Sequence, residues 1–171
     1  WSFTGNNLAI TPRPITVKAQ DQRRAYGDAD PSSGAVLLTE GSLAFSDALG
    51  AATLTAAATA TSAANAGTTH ALAPSNQLFS TGSSSNYDIT YADGTLSIDK
   101  RAITVTANNQ SRQYGLATNP STGNVSVTAG SLVNGDAISS AAVSASTATQ
   151  WVTAGSSHVL MPSSAVFGSG L

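Results

Sequence analysis

"RPITVKAQDQRRAYGDADP" (Arg13–Pro31) decides how this chain is read, because it occurs twice. It returns as "RAITVTANNQSRQYGLATNP" (Arg101–Pro120), an offset of 88 residues from Arg13 to Arg101. In each copy an Ile-Thr-Val run alternates apolar and polar side chains, the period of a half-buried strand. In each copy Tyr-Gly follows as a turn signal. Further matches run outward from this pair. "TEGSLAFSDAL" at Thr39 answers "TAGSLVNGDAI" at Thr128, and Ala66-Gly67, His70, Pro74 and Phe79 answer Ala154-Gly155, His158, Pro162 and Phe167. Colinear self-similarity at one period marks tandem repeats.

The same offset sets "ITYADGTLSI" (Ile89–Ile98) over "WSFTGNNLAI" (Trp1–Ile10). Both read as β-hairpins: apolar alternation flanks Asp-Gly in one and Gly-Asn in the other, and Asp-Gly favours a type I′ turn. The expected organisation is a closing hairpin at 1–10 from a preceding or neighbouring repeat, a complete repeat at 11–99, and a second repeat at 100–171 that stops before its own closing hairpin. Leu171 corresponds to Ser83.

Several short strands with turn signals, and no sustained 3.6-residue pattern, predict an all-β chain. The expected fold is a tandem of small immunoglobulin-like β-sandwich domains stacked end to end; the alternative is a β-grasp-like α+β repeat. "PITVKA", "AVLLTEG" and "ATLTAAATAT" are predicted strands, and "THALAP" and "NQLFST" are strands broken at Pro74. Asp47 and Asp136 are expected to cap single helical turns. The joins at "AITPRPITV" and "SIDKRAITV" are short and free of glycine, which favours a semi-rigid rod.

Composition narrows the function. Of 171 residues 41% are hydrophobic and only 9% charged, with a net charge of −2. That charge leaves no footprint for nucleic acid, and no apolar run is long enough to span a bilayer. There is no cysteine, so thiolate catalysis, Cys-zinc sites and disulfides are excluded.

The combination of Arg-x-Ile-Thr-Val, Tyr-Gly, Gly-Ser-Leu…Asp-Ala, Ala-Gly…His and Asn-Tyr-x-Ile-Thr-Tyr-x-x-Gly-Thr-Leu-x-Ile resembles the bacterial MBG domain of the Tyr-Gly-X type, over nearly the whole chain. His70 and His158 stand where such domains usually carry an aromatic. The resemblance implies a module of large secreted adhesins, filamentous-haemagglutinin-like, exported through an outer-membrane pore. It also implies an extracellular place at the bacterial surface or in biofilm matrix. Neither enzymatic activity nor a cofactor is expected, for want of any catalytic cluster with a recognisable spacing.

Candidate residues weigh accordingly. Tyr26-Gly27 and Tyr114-Gly115 are expected as a structural turn motif, Gly supplying positive φ and Tyr packing at a strand end. A sugar-stacking platform is the rival reading, with Trp151 as a further candidate for a matrix polysaccharide. His70 and His158 sit at equivalent places in separate repeats, which favours structure over a shared catalytic or metal site. Asp21, Asp28, Asp30 and Asp47 could gather round Ca²⁺, but the second copy has Asn109, Leu116, Asn119 and Asp136 at those places, so only one carboxylate survives there. Capping and turn roles are therefore expected. Asn109-Gln110-Ser111 and Asn124-Val125-Ser126 are formal glycosylation sequons. No G-x-S-x-G elbow raises any Ser-His-Asp set above chance. Trp1, Phe3, Leu8 and Ile10 are expected as an interface adding strands to a neighbouring repeat or another copy of the chain.

Overall fold

The computed structural model describes residues 1, 2, 4–116 and 125–168. The chain forms two compact units, Trp1–Lys100 and Arg101–Leu171. It is all-β: the described residues contain no α-helix, only a 3₁₀ turn at Ser84–Asn86, which sets aside the α+β alternative.

In the first unit the strands follow as β1 (Arg13–Ala19), β2 (Gln22–Ala25), β3 (Ser33–Gly34), β4 (Val36–Glu40), β5 (Ala48–Leu49), β6 (Ala52–Ala56), β7 (Thr69–Ser75), β8 (Phe79–Thr81), β9 (Tyr87–Ala92) and β10 (Gly94–Asp99). One sheet has the order β4-β1-β9, a second β2-β10-β7-β6-β3, and β5 pairs with β8. The chain crosses between the two larger sheets with hardly a break, at Gln20-Asp21, at Ala35 and at Asp93. The layers therefore curl into one another at the corners.

Alternation decides what lies between the layers. Ile15, Val17 and Ala19 take the buried positions of β1, and Leu96 and Ile98 those of β10. One cluster joins Ala19, Leu54, Ala60, Leu72, Leu96 and Ile98. The other joins Ile15, Val17, Val36, Ala52 and Tyr87, with Leu43, Leu49, Phe79 and Ile89 packed on it. Leu72 and Leu96 are fully buried, each worth about 1.5–3 kcal/mol in apolar transfer. Phe79 stacks on Tyr87 with ring centroids 5.0 Å apart.

Several local expectations are corrected. "NYDITYADGTLSI" is not a hairpin: β9 pairs in parallel with β1, whereas β10 pairs in parallel with β2 and antiparallel with β7. Neither Asp93 nor Gly94 has the positive φ of a type I′ turn. Gly94 is required for another reason, since a Cβ there would lie 2.4 Å from the Ala19 carbonyl oxygen. Asp47 and Asp136 cap no helix; each closes a tight turn, its N–H bonded to the carbonyl of Ala44 or Val133. The strand expected over "ATLTAAATAT" ends at Ala56, and β7 continues through Pro74. Proline is tolerated there because Pro74 lies beyond the stretch paired with β10 and has β6 on one side only.

Residues 1, 2 and 4–12 carry no strand. Trp1, Leu8 and Ile10 are exposed, and Phe3 lies outside the described residues. Two short strands with no sheet to join are marginal in water.

In the second unit β11 (Thr104–Ala107) pairs antiparallel with β12 (Val125–Ala129), and β13 (Ala137–Ser144) with β14 (Met161–Gly168). The register Val105↔Val127 is the repeat equivalent of Val17↔Leu38, and both pairings carry an irregularity at the Thr-Val step of the Ile-Thr-Val run. The repeat in sequence is thus a repeat in strand pairing.

Candidate functional site

The distinctive residues of the repeat converge on one end of the first unit, where β2 and β10 finish. Ala25–Asp28 form a turn closed by the Asp28 N–H on the Ala25 carbonyl at 3.0 Å, with Gly27 at φ 83. Positive φ at that third position is the geometry of a type II turn and suits glycine. Gln113–Leu116 repeat the turn, with Gly115 at φ 80. Tyr26 is half-buried against the cluster around Leu96 and Ile98, and its N–H donates to the Asp99 carbonyl at 2.9 Å. Tyr114 is exposed.

Two residues before each tyrosine stands an arginine that reading from the sequence passed over. The Arg24 side chain is only 4% exposed. Its Nε donates to Asp30 at 2.6 Å, and its Nη2 to the carbonyls of Ala60 and Thr61 at 3.2 and 2.7 Å. The guanidinium therefore staples the segment between β6 and β7 to the end of β2. Arg112 does the same in the second unit, its Nη2 reaching the carbonyls of Ala148 and Thr149 and its Nη1 that of Leu116. The signal was present: Arg-x-Tyr-Gly recurs at one offset, as do its targets Ala60-Thr61 and Ala148-Thr149.

The histidines form a second recurring device. His70 Nδ1 lies 3.0 Å from Thr59 Oγ1 and its Nε2 3.0 Å from Thr68 Oγ1. Thr68 Oγ1 donates its proton to the Asn65 carbonyl at 2.7 Å. It must therefore accept from the imidazole, which places the proton of the neutral ring on Nε2 and leaves Nδ1 to accept from Thr59. His158 repeats the arrangement between Thr147 and Ser156, with Ser156 donating to Thr153. The two imidazoles each bridge hydroxyls within their own repeat.

The carboxylates weighed for Ca²⁺ are dispersed among separate tasks. Asp21 accepts from the Thr95 N–H at 2.9 Å, Asp30 from Arg24, and Asp47 from the Tyr87 hydroxyl at 2.6 Å. That hydroxyl also accepts from the Ala44 N–H at 2.9 Å. The Asp47 carboxylate beside it pushes the Tyr87 phenol above its ordinary pKa of 10.0. Among the described residues no three His, Cys, Asp or Glu side chains group as metal ligands. Asn119 and Asn124 lie outside the described residues.

Trp151 is exposed. The residues that Trp1, Leu8 and Ile10 align with are differently placed: Ile89 packs on the core, and Leu96 and Ile98 are buried within it. Among the described residues no helix is long and apolar enough to cross a membrane.

Compared with known families, residues 15–97 match the model of the MBG domain (YGX type). The comparisons with curated proteins and with solved structures each found no match.

Proposed function

Because residues 15–97 are an MBG domain of the YGX type, a repeat module of large surface proteins, we propose that this chain is a structural repeat segment of an extracellular bacterial adhesin or surface fibre. In this reading it spaces and supports adhesive regions in cell–cell or matrix attachment and biofilm formation. The parent is exported through an outer-membrane pore.

One observation carries the reading. The first unit takes in its chain at Arg13, at one end of β1, and releases it at Asp99, at the far end of β10. A domain that passes its chain from end to end lengthens a fibre with each copy. From Arg13 to Ala25, at ~3.3 Å per residue, that length is roughly 40 Å before the bend at Gln20-Asp21 is allowed for. The polar groups singled out above serve turns and staples, which is what a spacer requires.

Residues 1–10 belong to the same proposal. They align with β9 and β10, so they act as the closing arms of another repeat, with Trp1, Phe3, Leu8 and Ile10 as anchors. The host is a repeat before Arg13 in a continuous chain or a second copy joined by strand addition. Small-angle scattering on segments of one, two and four repeats tests the spacer reading: maximum dimension is expected to rise linearly with repeat number, and a compact profile that grows as a globule refutes it. Deleting residues 1–10 tests the second-copy route, because undiminished self-association rules it out.

Exposed Trp151 favours a second reading, a carbohydrate-binding module for matrix polysaccharide. Titration with such polysaccharides is expected to give binding that Trp151→Ala abolishes if that reading holds, and no heat for either protein if the chain is a spacer alone.

A further inference from the structure

The first and last arms of the first unit form one continuous parallel ribbon. β1 and β9 are in register from Arg13↔Tyr87 to Lys18↔Ala92, and β2 and β10 from Gln22↔Leu96 to Ala25↔Asp99. The register does not slip where the ribbon turns from one sheet to the other. The bend is itself bridged, by the Thr95 N–H on the Asp21 carboxylate at 2.9 Å and by the close approach of Gly94 to the Ala19 carbonyl. At the far end the Tyr26 N–H bonds the Asp99 carbonyl at 2.9 Å, and Arg23 pairs with the Asp99 carboxylate at 3.0 Å.

We infer that this ribbon is a shear clamp that lets the domain bear tension along a fibre. The inference concerns how load passes through the domain and holds whatever the attachment chemistry. Tension drawn through the backbone pulls Arg13 one way and Asp99 the other, parallel to the strands and in opposite senses. The ladder bonds of a parallel pair are evenly spaced, so all of them resist together and must fail together. Were the same strands pulled apart from one end, the bonds would break singly.

Each loaded arm is also held from its other side. β1 lies between β9 and β4, and β10 between β2 and β7. Val17, Leu96 and Ile98, at most 1% exposed, shield the ladder from the water that would otherwise replace its bonds. The exposed Arg23–Asp99 pair adds little by comparison. Resistance to force is set by the unfolding rate along the pulled direction rather than by equilibrium stability, so it depends on where the chain is held.

The chain has no cysteine, so introduced thiols give unique handles for optical tweezers on the full chain. Handles at Thr11→Cys and Lys100→Cys load the ribbon in shear. Handles at Thr11→Cys and Ser85→Cys open it from the Arg13–Tyr87 end. The first geometry is expected to need a several-fold higher rupture force at equal loading rate, although both variants melt at the same temperature without load. The stretch from Arg13 to Asp99 extends to about 310 Å at ~3.6 Å per residue, so release is expected as one abrupt event of nearly that length. Equal rupture forces in the two geometries overturn the clamp. If a handle variant fails to fold, the unmodified chain tethered by terminal tags decides: an abrupt release of that length supports the clamp, and gradual yielding at low force overturns it.

Discussion

Replacing Arg24 by alanine removes a guanidinium that no nearby group can imitate. The Ala60 carbonyl belongs to a residue only 4% exposed, and leaving such an acceptor without a donor costs about 1–3 kcal/mol. Thr61 is exposed and its carbonyl keeps the Ala64 N–H at 2.9 Å, so the loss there is about 0.5–1 kcal/mol. The Asp30 carboxylate is a third exposed, which limits the lost pairing to about 1 kcal/mol. Truncating the buried stem adds to these, and the total comes to about 3–5 kcal/mol, the range found when one partner of a buried charged pair is removed. Arg24→Lys should recover less than half, because one ammonium cannot span Asp30 and two carbonyls at once. Hydrogen exchange read by mass spectrometry, combined with urea titration, reports on the first unit separately from the second. Arg24→Ala is expected to lower the urea midpoint and strip protection from residues 57–66. Unchanged protection there, with a stability loss under about 0.5 kcal/mol, would refute the staple.

Other perturbations test other parts of the fold. Gly94→Ala should destabilise by about 1–3 kcal/mol, seen as a lower melting temperature, since its Cβ meets the Ala19 carbonyl rather than a side chain that could move. Leu96→Ala should cost about 2–5 kcal/mol in urea titration, as the side chain is fully buried. Phe45 is exposed and holds a φ of 52, where the second repeat places Asn134 at φ 54; Phe45→Asn should raise thermal stability by about 0.5–1 kcal/mol. Tyr87 has its native pKa raised above 10.0, so its contribution is whole below pH 10 and is lost as pH climbs through the native value, the unfolded phenol ionising first. Tyr87→Phe is therefore expected to give a flatter alkaline limb in a pH series of melting curves.

How much of this was legible in the sequence depends on the range over which each feature is decided. β1 could be read because its alternation is local, and the Tyr-Gly turn because only two residues define it. The pairing of β9 and β10 was not legible. Asp-Gly between alternating runs is the local signature of a hairpin, and what forbids the hairpin is the Ala19 carbonyl arriving from the other arm. Asp47 misled for a similar reason: its partner is the Tyr87 hydroxyl, 40 residues away. Arg24 was within reach of the repeat alignment, which placed Ala60-Thr61 and Ala148-Thr149 at equivalent positions. A charged residue in a polar stretch gives no local sign of burial. The exposed state of Trp1, Leu8 and Ile10 follows from the absence of a host sheet within the unit, which no local pattern reports.

The parallel pairing of the first and last arms also sets the order in which the domain is made. Asp21 waits for Thr95 across 74 residues, so a chain emerging end first holds β1 unpartnered on that side until the last arms arrive. Neighbouring repeats offer the late arms two nearly identical targets, Ile15-Thr16-Val17 and Ile103-Thr104-Val105. Chain geometry settles the contest. The arm that pairs with Ile15-Thr16-Val17 is β9. Between it and β11 the six residues of β10 are already paired, which leaves only Asp93 and Lys100–Ile103 to cross. That is fewer than the about a dozen residues that a parallel crossover needs. The brevity of that join works as a proofreading device against misassembly between repeats, and lengthening it would be expected to increase swapped pairings among refolded molecules.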